Sequence, residues 1–217
     1  MKHTKTHFLG ILFFCAIALF TGCSEKIAIK HNADNSILLE FNSAAGKNLS
    51  ALISSFTGMS ANEPLFDERQ TAEAVKAHGG TQVRVKSKNG ADLELSVTFA
   101  GNQKNALSPL FAESSDGTQF VLTISPESMR QFIALLPEDT AEYTELLIAP
   151  IFTGDKMSAE EYVQTLAAVY GNDIAGEMRS AKIEFSVTSK KGIKQILNVS
   201  LAEILSSQET KKYTFDW

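Results

Sequence analysis

Few residues in this chain have the types and spacing that chemistry usually requires. Only two cysteines and four histidines occur among 217 residues. Cys23 directly follows the small residues Thr21 and Gly22, whereas Cys15 lies inside an apolar run. If the segment that holds Cys15 is removed, Cys23 has no partner for an intramolecular disulfide. Cys23 is therefore the first candidate site, as a sulfur available for modification.

The segment before Cys23 has the three zones of an export signal. Lys2 and Lys5 provide positive charge with no acidic residue, and residues 8–20 form an uncharged, almost wholly apolar run. A basic start, a short apolar run and small residues are typical of a secretory signal peptide. The run is shorter than the roughly 20 residues that cross a bilayer. We therefore expect residues 1–22 to be a signal peptide, in preference to a buried helix.

The residues at the end of this segment resemble the lipobox of bacterial lipoproteins, and they are Leu19, Phe20, Thr21, Gly22 and Cys23. Phe20 stands where the usual box has a branched aliphatic residue. The resemblance implies diacylglycerol on the Cys23 sulfur, cleavage before Cys23, and acylation of the new amino group with a fatty acid such as palmitate. Two or more chains attach a protein stably, since each buried methylene contributes about 0.8 kcal/mol. The alternative is an ordinary signal peptide with an incidental cysteine.

The resemblance also implies a partner and a location. Acyl groups on Cys23 would hold the protein at a lipid membrane, on the exported side of the cell membrane or the outer membrane. Ser24 in place of an aspartate resembles the outer-membrane type of enteric bacteria. Apolar alternation begins at Ile27, so we expect residues 23–26 to be a lipidated tether. The three residues after Cys23, residues 24–26, would span about 10 Å when extended. This short distance would keep the domain close to the lipid headgroups.

Composition excludes some partners. The whole chain has a formal charge of −5, and loss of Lys2 and Lys5 would make the remainder more acidic. Nucleic-acid binding needs clustered lysine and arginine, and electrostatic attraction to anionic lipid also needs a basic surface. We therefore expect no nucleic-acid partner. The length of residues 27–217 suits a single domain.

Carboxylate pairs and histidines are the other candidates for catalysis or metal binding. The acidic pairs are Asp67-Glu68, Glu138-Asp139 and Glu160-Glu161. Two of these pairs fall in the first turns of expected helices, where negative charge is favoured for structural reasons. His31 ends an expected strand and His78 precedes a double glycine, and neither has the flanking motif of a triad or a zinc site. We expect no catalytic residue, no metal and no cofactor.

Residues 143–152 form the most distinctive apolar segment, with Pro150 to break a helix. Six large apolar side chains occur in it, and they are Tyr143, Leu146, Leu147, Ile148, Ile151 and Phe152. A helix that covers the core explains them, and we prefer this interpretation. The alternative is an exposed surface that binds an envelope protein, a lipid or another apolar ligand.

Period-2 and period-3.6 apolar patterns predict an α+β fold of two similar halves. The order hairpin, helix, helix, hairpin occurs over residues 27–100 and again over residues 107–206. Residues 83–100 align without gaps with residues 185–202 at seven identical positions, which indicates an internal duplication. We expect an antiparallel sheet packed with helices. The aromatic tail that ends at Trp217 predicts a last edge strand.

Several signals predict where the helices begin and end. Capping boxes at Asp67 and Ser158 indicate two helix starts, and Pro126 after Ser125 indicates a third. Glycines at 79–80 and 171 predict helix ends.

The sequence does not identify a biochemical activity. The preferred hypothesis is a membrane-anchored envelope module that binds a partner or has a structural role, and is not an enzyme. A second hypothesis is a carrier of an apolar ligand between the two halves, which predicts an enclosed apolar cavity. A third is an envelope hydrolase that uses carboxylates, which predicts acidic residues converging in a pocket.

Overall fold

The computed structural model of the chain describes residues 22–57, 67–77, 79–88, 92–100, 110–114, 116–133 and 149–217. The expected signal peptide, apart from Gly22, lies outside these ranges. Within them the chain forms two β-sheets and seven helices. The predicted α+β class is confirmed.

Nine strands are described. They are β1 (Gly22–His31), β2 (Ile37–Ala45), β3 (Thr81–Lys88), β4 (Asp92–Phe99), β5 (Phe111–Glu113), β6 (Gln119–Ile124), β7 (Lys182–Thr188), β8 (Lys194–Ser200) and β9 (Lys211–Asp216). The large sheet has the order β3-β4-β2-β1-β7-β8, and the small sheet has the order β5-β6-β9. Neighbouring strands are antiparallel except β1 and β7, which run parallel. The expected antiparallel sheet is therefore a mixed one.

The described helices lie between and after these strands. They are α1 (Lys47–Thr57), α2 (Glu68–Ala77), α3 (Pro126–Ile133), α4 (Pro150–Thr153), α5 (Ala159–Tyr170), α6 (Asn172–Ser180) and α7 (Leu201–Ser206). The sequence analysis predicted helices at the positions of α1, α2, α3 and α5. It did not predict α6, which follows α5 after Gly171 alone, or α7, which directly follows β8.

The predicted helix starts are confirmed by their hydrogen bonds. The Ser158 hydroxyl accepts from the Glu161 backbone N–H at 3.3 Å, and the Glu161 carboxylate accepts from the Ser158 N–H at 2.7 Å. This reciprocal pair is the capping box that the sequence predicted. The Asp67 carboxylate likewise accepts from the Gln70 N–H at 2.8 Å at the start of α2, and the Ser125 hydroxyl accepts from the Ser128 N–H at 3.0 Å before α3.

In the described part of the chain, one face of the large sheet is buried and the opposite face is more exposed. On β4 every second side chain is buried, and these are Leu93, Leu95, Val97 and Phe99. The buried side chains of β1, β2 and β7 join the same core, together with residues of α5, α6 and α7. The opposite face presents exposed polar side chains, among them Lys26, Lys30, Glu40, Asn42, Arg84 and Lys86. Strict alternation of this kind is typical of a sheet covered on one side.

A carboxylate from late in the chain fixes an early helix. Glu177 on α6 accepts hydrogen bonds from the backbone N–H groups of Asn48 and Leu49, both at 2.9 Å, and from the Asn48 side chain at 2.9 Å. The first N–H groups of a helix have no partner within the helix. Glu177 therefore serves as a remote cap for α1, and it joins two segments that lie 128 to 129 positions apart in the chain.

The two predicted halves are not confirmed, because their hairpins do not pair in equivalent ways. In the first half β2 pairs with β4, so both hairpins share one sheet. In the second half β6 pairs with β9, and β7 pairs with β1. The hairpin of β5 and β6 thus belongs to the small sheet, and the hairpin of β7 and β8 belongs to the large one.

The two hairpins with similar sequences also differ in register. In the first, Val85 lies opposite Leu95. The residues that align with these two are Val187 and Leu197, but Leu197 lies opposite Phe185. The strand pairing is therefore shifted by two residues between the two hairpins.

Candidate functional site

The candidate lipidation site lies at the start of a central strand. β1 begins at Gly22, and strand pairing is already present at Ser24, which lies opposite Ala44 on β2 and Lys182 on β7. The sequence predicts that residues 23–26 form a tether outside the fold. Instead they form the first part of β1, because distant segments supply the pairing partners. The chain thus has no free spacer between Cys23 and the sheet.

Burial on β1 explains why the local sequence suggested a spacer. Glu25 is an acidic residue, yet it lies on the inner face with Ile27 and Ile29 and is only 1% exposed. Lys26 lies on the outer face and is exposed. An acidic residue at an inward position hides the alternation that would have marked the strand.

The apolar segment 143–152 is described only in its last part. Ile151 on α4 is fully buried, at 0% exposure, and Phe152 is half-buried and packs against the core. For these two residues the structure agrees with a helix that covers the core, and Ile151 offers no surface to a partner. The other proposed surface residues, Tyr143, Leu146, Leu147 and Ile148, lie outside the described residues.

The described acidic pairs are engaged in structural contacts. Glu161 belongs to the capping box of α5, and Glu160 forms an ion pair with Arg179 on α6 at 2.8 Å. Hydrogen bonds to the Ser158 backbone and hydroxyl lower the pKa of Glu161, and the Arg179 side chain lowers the pKa of Glu160. Both carboxylates are ionised at neutral pH, so neither has the raised pKa of a general acid.

The second described pair behaves in the same way. Asp67 caps α2, and the neighbouring Glu68 carboxylate accepts a hydrogen bond from the Ser87 backbone N–H of β3 at 2.7 Å. The third pair, Glu138 and Asp139, lies outside the described residues. Within the described ranges, no group of three histidine, cysteine or acidic side chains could hold a metal ion.

His31 takes part in an aromatic stack at the end of β1. Its ring lies 4.3 Å from the ring of Trp217, which in turn lies 4.4 Å from that of Phe120. Burial lowers the pKa of His31, and the positive charge of Lys190 lowers it further, whereas Glu113 acts in the opposite direction. The stack joins the two sheets, so His31 has a packing role. His78 lies outside the described residues.

The aromatic tail that ends at Trp217 forms the predicted edge strand. The strand β9 lies at the edge of the small sheet, and the Trp217 backbone N–H donates to Thr118 at 2.9 Å. The Gln195 side chain on β8 also forms two hydrogen bonds with the backbone of Asp216. The predicted last edge strand is confirmed, and its outer edge is held by the large sheet.

One surface depression of about 950 Å³ lies beside the start of α5. Its lining includes Lys156, Ser158, Glu161, Glu203, Gln208 and Lys211. The depression is open and mixed in charge, and all of its lining residues come from 156–211. It is neither enclosed nor apolar, and it does not lie between the two predicted halves.

A surface that sequence reasoning missed lies along β8. Three of the described large apolar side chains are exposed, and two of them, Ile193 at 53% and Ile196 at 55%, belong to β8 or to the turn before it. The third is Val169 on α5, at 56%. The sequence assigned Ile196 to a strand, but no local signal shows that this strand lies at the edge of the sheet.

None of the described helices has the length and apolar composition needed to cross a membrane. A scan against protein-family models, a search of curated proteins and a search of solved structures found no match to this chain.

Proposed function

We propose that this chain is a bacterial lipoprotein whose folded part is a binding or structural module of the cell envelope, held at a membrane by acyl groups on Cys23. The observation that carries the proposal is the position of Cys23 after Thr21 and Gly22, at the end of an apolar leader. The chain continues from Cys23 directly into β1. An anchor at this cysteine would therefore hold the sheet next to the lipid headgroups.

The start of β1 is a mechanically suitable point for an anchor. β1 is an interior strand, paired with β2 on one side and β7 on the other. A force applied at Cys23 would therefore be borne by the hydrogen bonds of β1 to both β2 and β7, and not by an unpaired chain end. We propose the exported side of the cell membrane or the outer membrane as the location.

A role without catalysis is supported by the two described acidic pairs, in which Asp67 and Glu161 cap helices, Glu160 forms an ion pair, and Glu68 accepts a hydrogen bond from a strand backbone. The depression beside α5 is open to solvent and has a mixed polar and apolar lining, so it does not favour the carrier hypothesis. We also retain duplication of residues 27–100 and 107–206 as a proposal about origin, supported by the seven aligned identities.

Metabolic labelling with radioactive palmitate tests the anchor. The native protein should incorporate label and sediment with membranes, and Cys23→Ser should do neither, because the thiol that accepts the lipid is absent. The matched control is Cys15→Ser, which removes the other thiol of the chain within the leader and should leave labelling unchanged. An unlabelled native protein, or equal membrane association of the Cys23→Ser variant, would refute the proposal.

A further inference from the structure

The outer edge of β8 differs from the other edge of the same sheet. At the opposite edge, the Glu68 carboxylate accepts a hydrogen bond from the β3 backbone at Ser87. β3 also has exposed Arg84 and Lys86, and its pairing is irregular between Thr81 and Arg84. Charged side chains, irregular pairing and cover by a helix are the usual means by which a sheet edge is protected from further strands.

β8 is less protected than β3 in the described part of the chain, because its pairing with β7 is regular and its only charged side chain is Lys194, at the first residue of the strand. No described strand pairs with its outer edge, and it presents the exposed side chains of Ile193 and Ile196. An edge strand offers unpaired backbone groups to another extended chain, which binds by strand addition. The apolar side chains add a surface on which alternate side chains of that chain can pack.

Charge indicates which extended chain would fit. Lys190, Lys191 and Lys194 are all exposed and lie in or beside the turn that leads into β8. This is a local basic group on a chain with net charge −5. On the same outer face, Glu184 lies opposite Asn198, toward the other end of β8. An acidic segment would therefore be attracted to the end of β8 where the lysines are.

We propose that the edge of β8 binds an extended, acidic segment of another envelope protein by strand addition, with an apolar side chain of that segment against Ile196. The choice of a protein segment over a lipid surface rests in part on the proposed function. An anchor at Cys23 would hold the membrane at one end of the strands, whereas the lysine turn lies at the other end. β7 runs parallel to β1, from Lys182 beside Ser24 to Thr188 beside Lys30. The lysine turn thus lies about 20 Å along the strands from Cys23, at about 3.3 Å per residue.

The same geometry disfavours a second copy of this chain. If two β8 strands paired antiparallel in a continuous sheet, their Cys23 ends would point in opposite directions, and without spacers both could not enter one membrane. If the two strands paired in parallel, the three lysines of each copy would lie side by side and repel. A separate acidic segment avoids both conflicts.

Binding of designed peptides tests the proposal. The probe is a fluorescent peptide of alternating threonine and isoleucine with two glutamates at each end, titrated with the purified full chain in non-ionic detergent and followed by anisotropy. It should bind saturably. A peptide with lysines in place of the glutamates, and one with a central proline that cannot pair, should each bind at least about tenfold more weakly, a difference of 1.4 kcal/mol.

Variants locate the site. Ile196→Thr retains a β-branched side chain and should weaken binding of the acidic peptide several-fold, and Lys194→Glu should weaken it further. The matched control is Val169→Thr, which changes an equally exposed side chain on α5 and should have no effect. Unfolding of each variant is followed by circular dichroism. If Ile196→Thr proves unstable, Lys191→Glu with Lys194→Glu replaces it, since both lysines are exposed.

The proposal is refuted if the acidic peptide does not bind, binds no better than the lysine peptide, or binds equally to the β8 variants. Because the assay uses detergent-solubilised protein, its result does not depend on acylation of Cys23. Failure of palmitate labelling alone would leave β8 binding intact and would change only the argument for its occupant.

Discussion

The hairpins β3–β4 and β7–β8 have similar sequences but opposite places in one sheet. In the first hairpin, β3 is the edge strand and β4 is interior, because β4 pairs with β2. In the second, β7 is interior because it pairs with β1, and β8 is the edge. Leu95 on β4 is 3% exposed, whereas the aligned Leu197 on β8 is only half-buried. Alternation therefore predicts a strand, but its neighbours decide how deeply it is buried.

The two edge strands of the large sheet, β3 and β8, are also protected to different extents. At the β3 edge, Glu68 of α2 accepts a hydrogen bond from the strand backbone. At the β8 edge, the side chain of Ile196 is exposed. The aligned sequences do not predict which edge is protected, because protection comes from a helix elsewhere in the chain.

The largest expected difference is between truncations at the aligned leucines. Leu95→Ala should lower the free energy of unfolding by about 2–5 kcal/mol, the usual cost of a cavity in a core. Leu197→Ala should cost about 1–2 kcal/mol, because a half-buried side chain loses less apolar contact. Urea unfolding of both variants measures the two losses. Equal losses would mean that the hairpins are equivalent in solution.

A smaller loss of stability is expected when α6, the helix before the second hairpin, no longer caps α1 through Glu177. Glu177→Ala removes the acceptor for two backbone N–H groups of α1 and should cost about 1–2 kcal/mol, as loss of a helix cap does. Glu177→Gln retains one acceptor oxygen and should cost less. Urea unfolding of the two variants provides the measurement. If the alanine variant unfolded like the native chain, α1 would not depend on this remote cap.

Loss of the protection at β3 should have a still smaller effect. Glu68→Ala removes the hydrogen bond to Ser87 and should cost about 1 kcal/mol, a typical net value for one such bond. Glu73→Ala changes an exposed carboxylate on the same helix and serves as the control. Thermal unfolding compares them, and light scattering shows whether the exposed edge of β3 promotes self-association. Identical behaviour of the two variants would contradict a protective role of Glu68.

The smallest expected effect is a pH dependence at His31, at the end of β1, whose pKa is influenced by Lys190 in the turn of the second hairpin. Burial and Lys190 lower the pKa of His31 from 6.5, so the unfolded chain binds more protons than the folded chain below about pH 7. The melting temperature should therefore fall as the pH decreases from 7.5 to 5.5. The pKa values of Asp34, Glu160 and Glu161 are lowered from ordinary values that already lie below pH 5.5, so these carboxyl groups do not account for a change between pH 7.5 and 5.5.

Three variants assign this pH dependence. His31→Gln should flatten the profile, and Lys190→Gln should reduce its slope because one cause of the pKa shift is removed. His78→Gln is the control and should retain the native slope. A native slope in the His31→Gln variant would assign the dependence to another group.

Local signals predicted the elements that depend on near neighbours. The caps at Asp67 and Ser158 were confirmed because both partners of each hydrogen bond lie within one helical turn. The hairpin β1–β2 was confirmed because the turn-forming residues Asn32, Asp34 and Asn35 lie between two apolar runs. In contrast, α6 was missed, because α5 was expected to end at Gly171 with no further helix. The early residues of β1 were assigned to a tether because Glu25, an acidic residue, lies on the buried face.

The order of the amino acids is enough to reveal the basic and apolar leader, the position of Cys23 after Thr21 and Gly22, and the alternation that makes most strands amphipathic. These properties are written in the order of neighbouring residues. The tertiary structure alone decided that Ile151 is buried, that Ile196 is exposed, and that β7 pairs with β1. Burial and strand pairing join residues more than a hundred positions apart, and no local pattern contains that information.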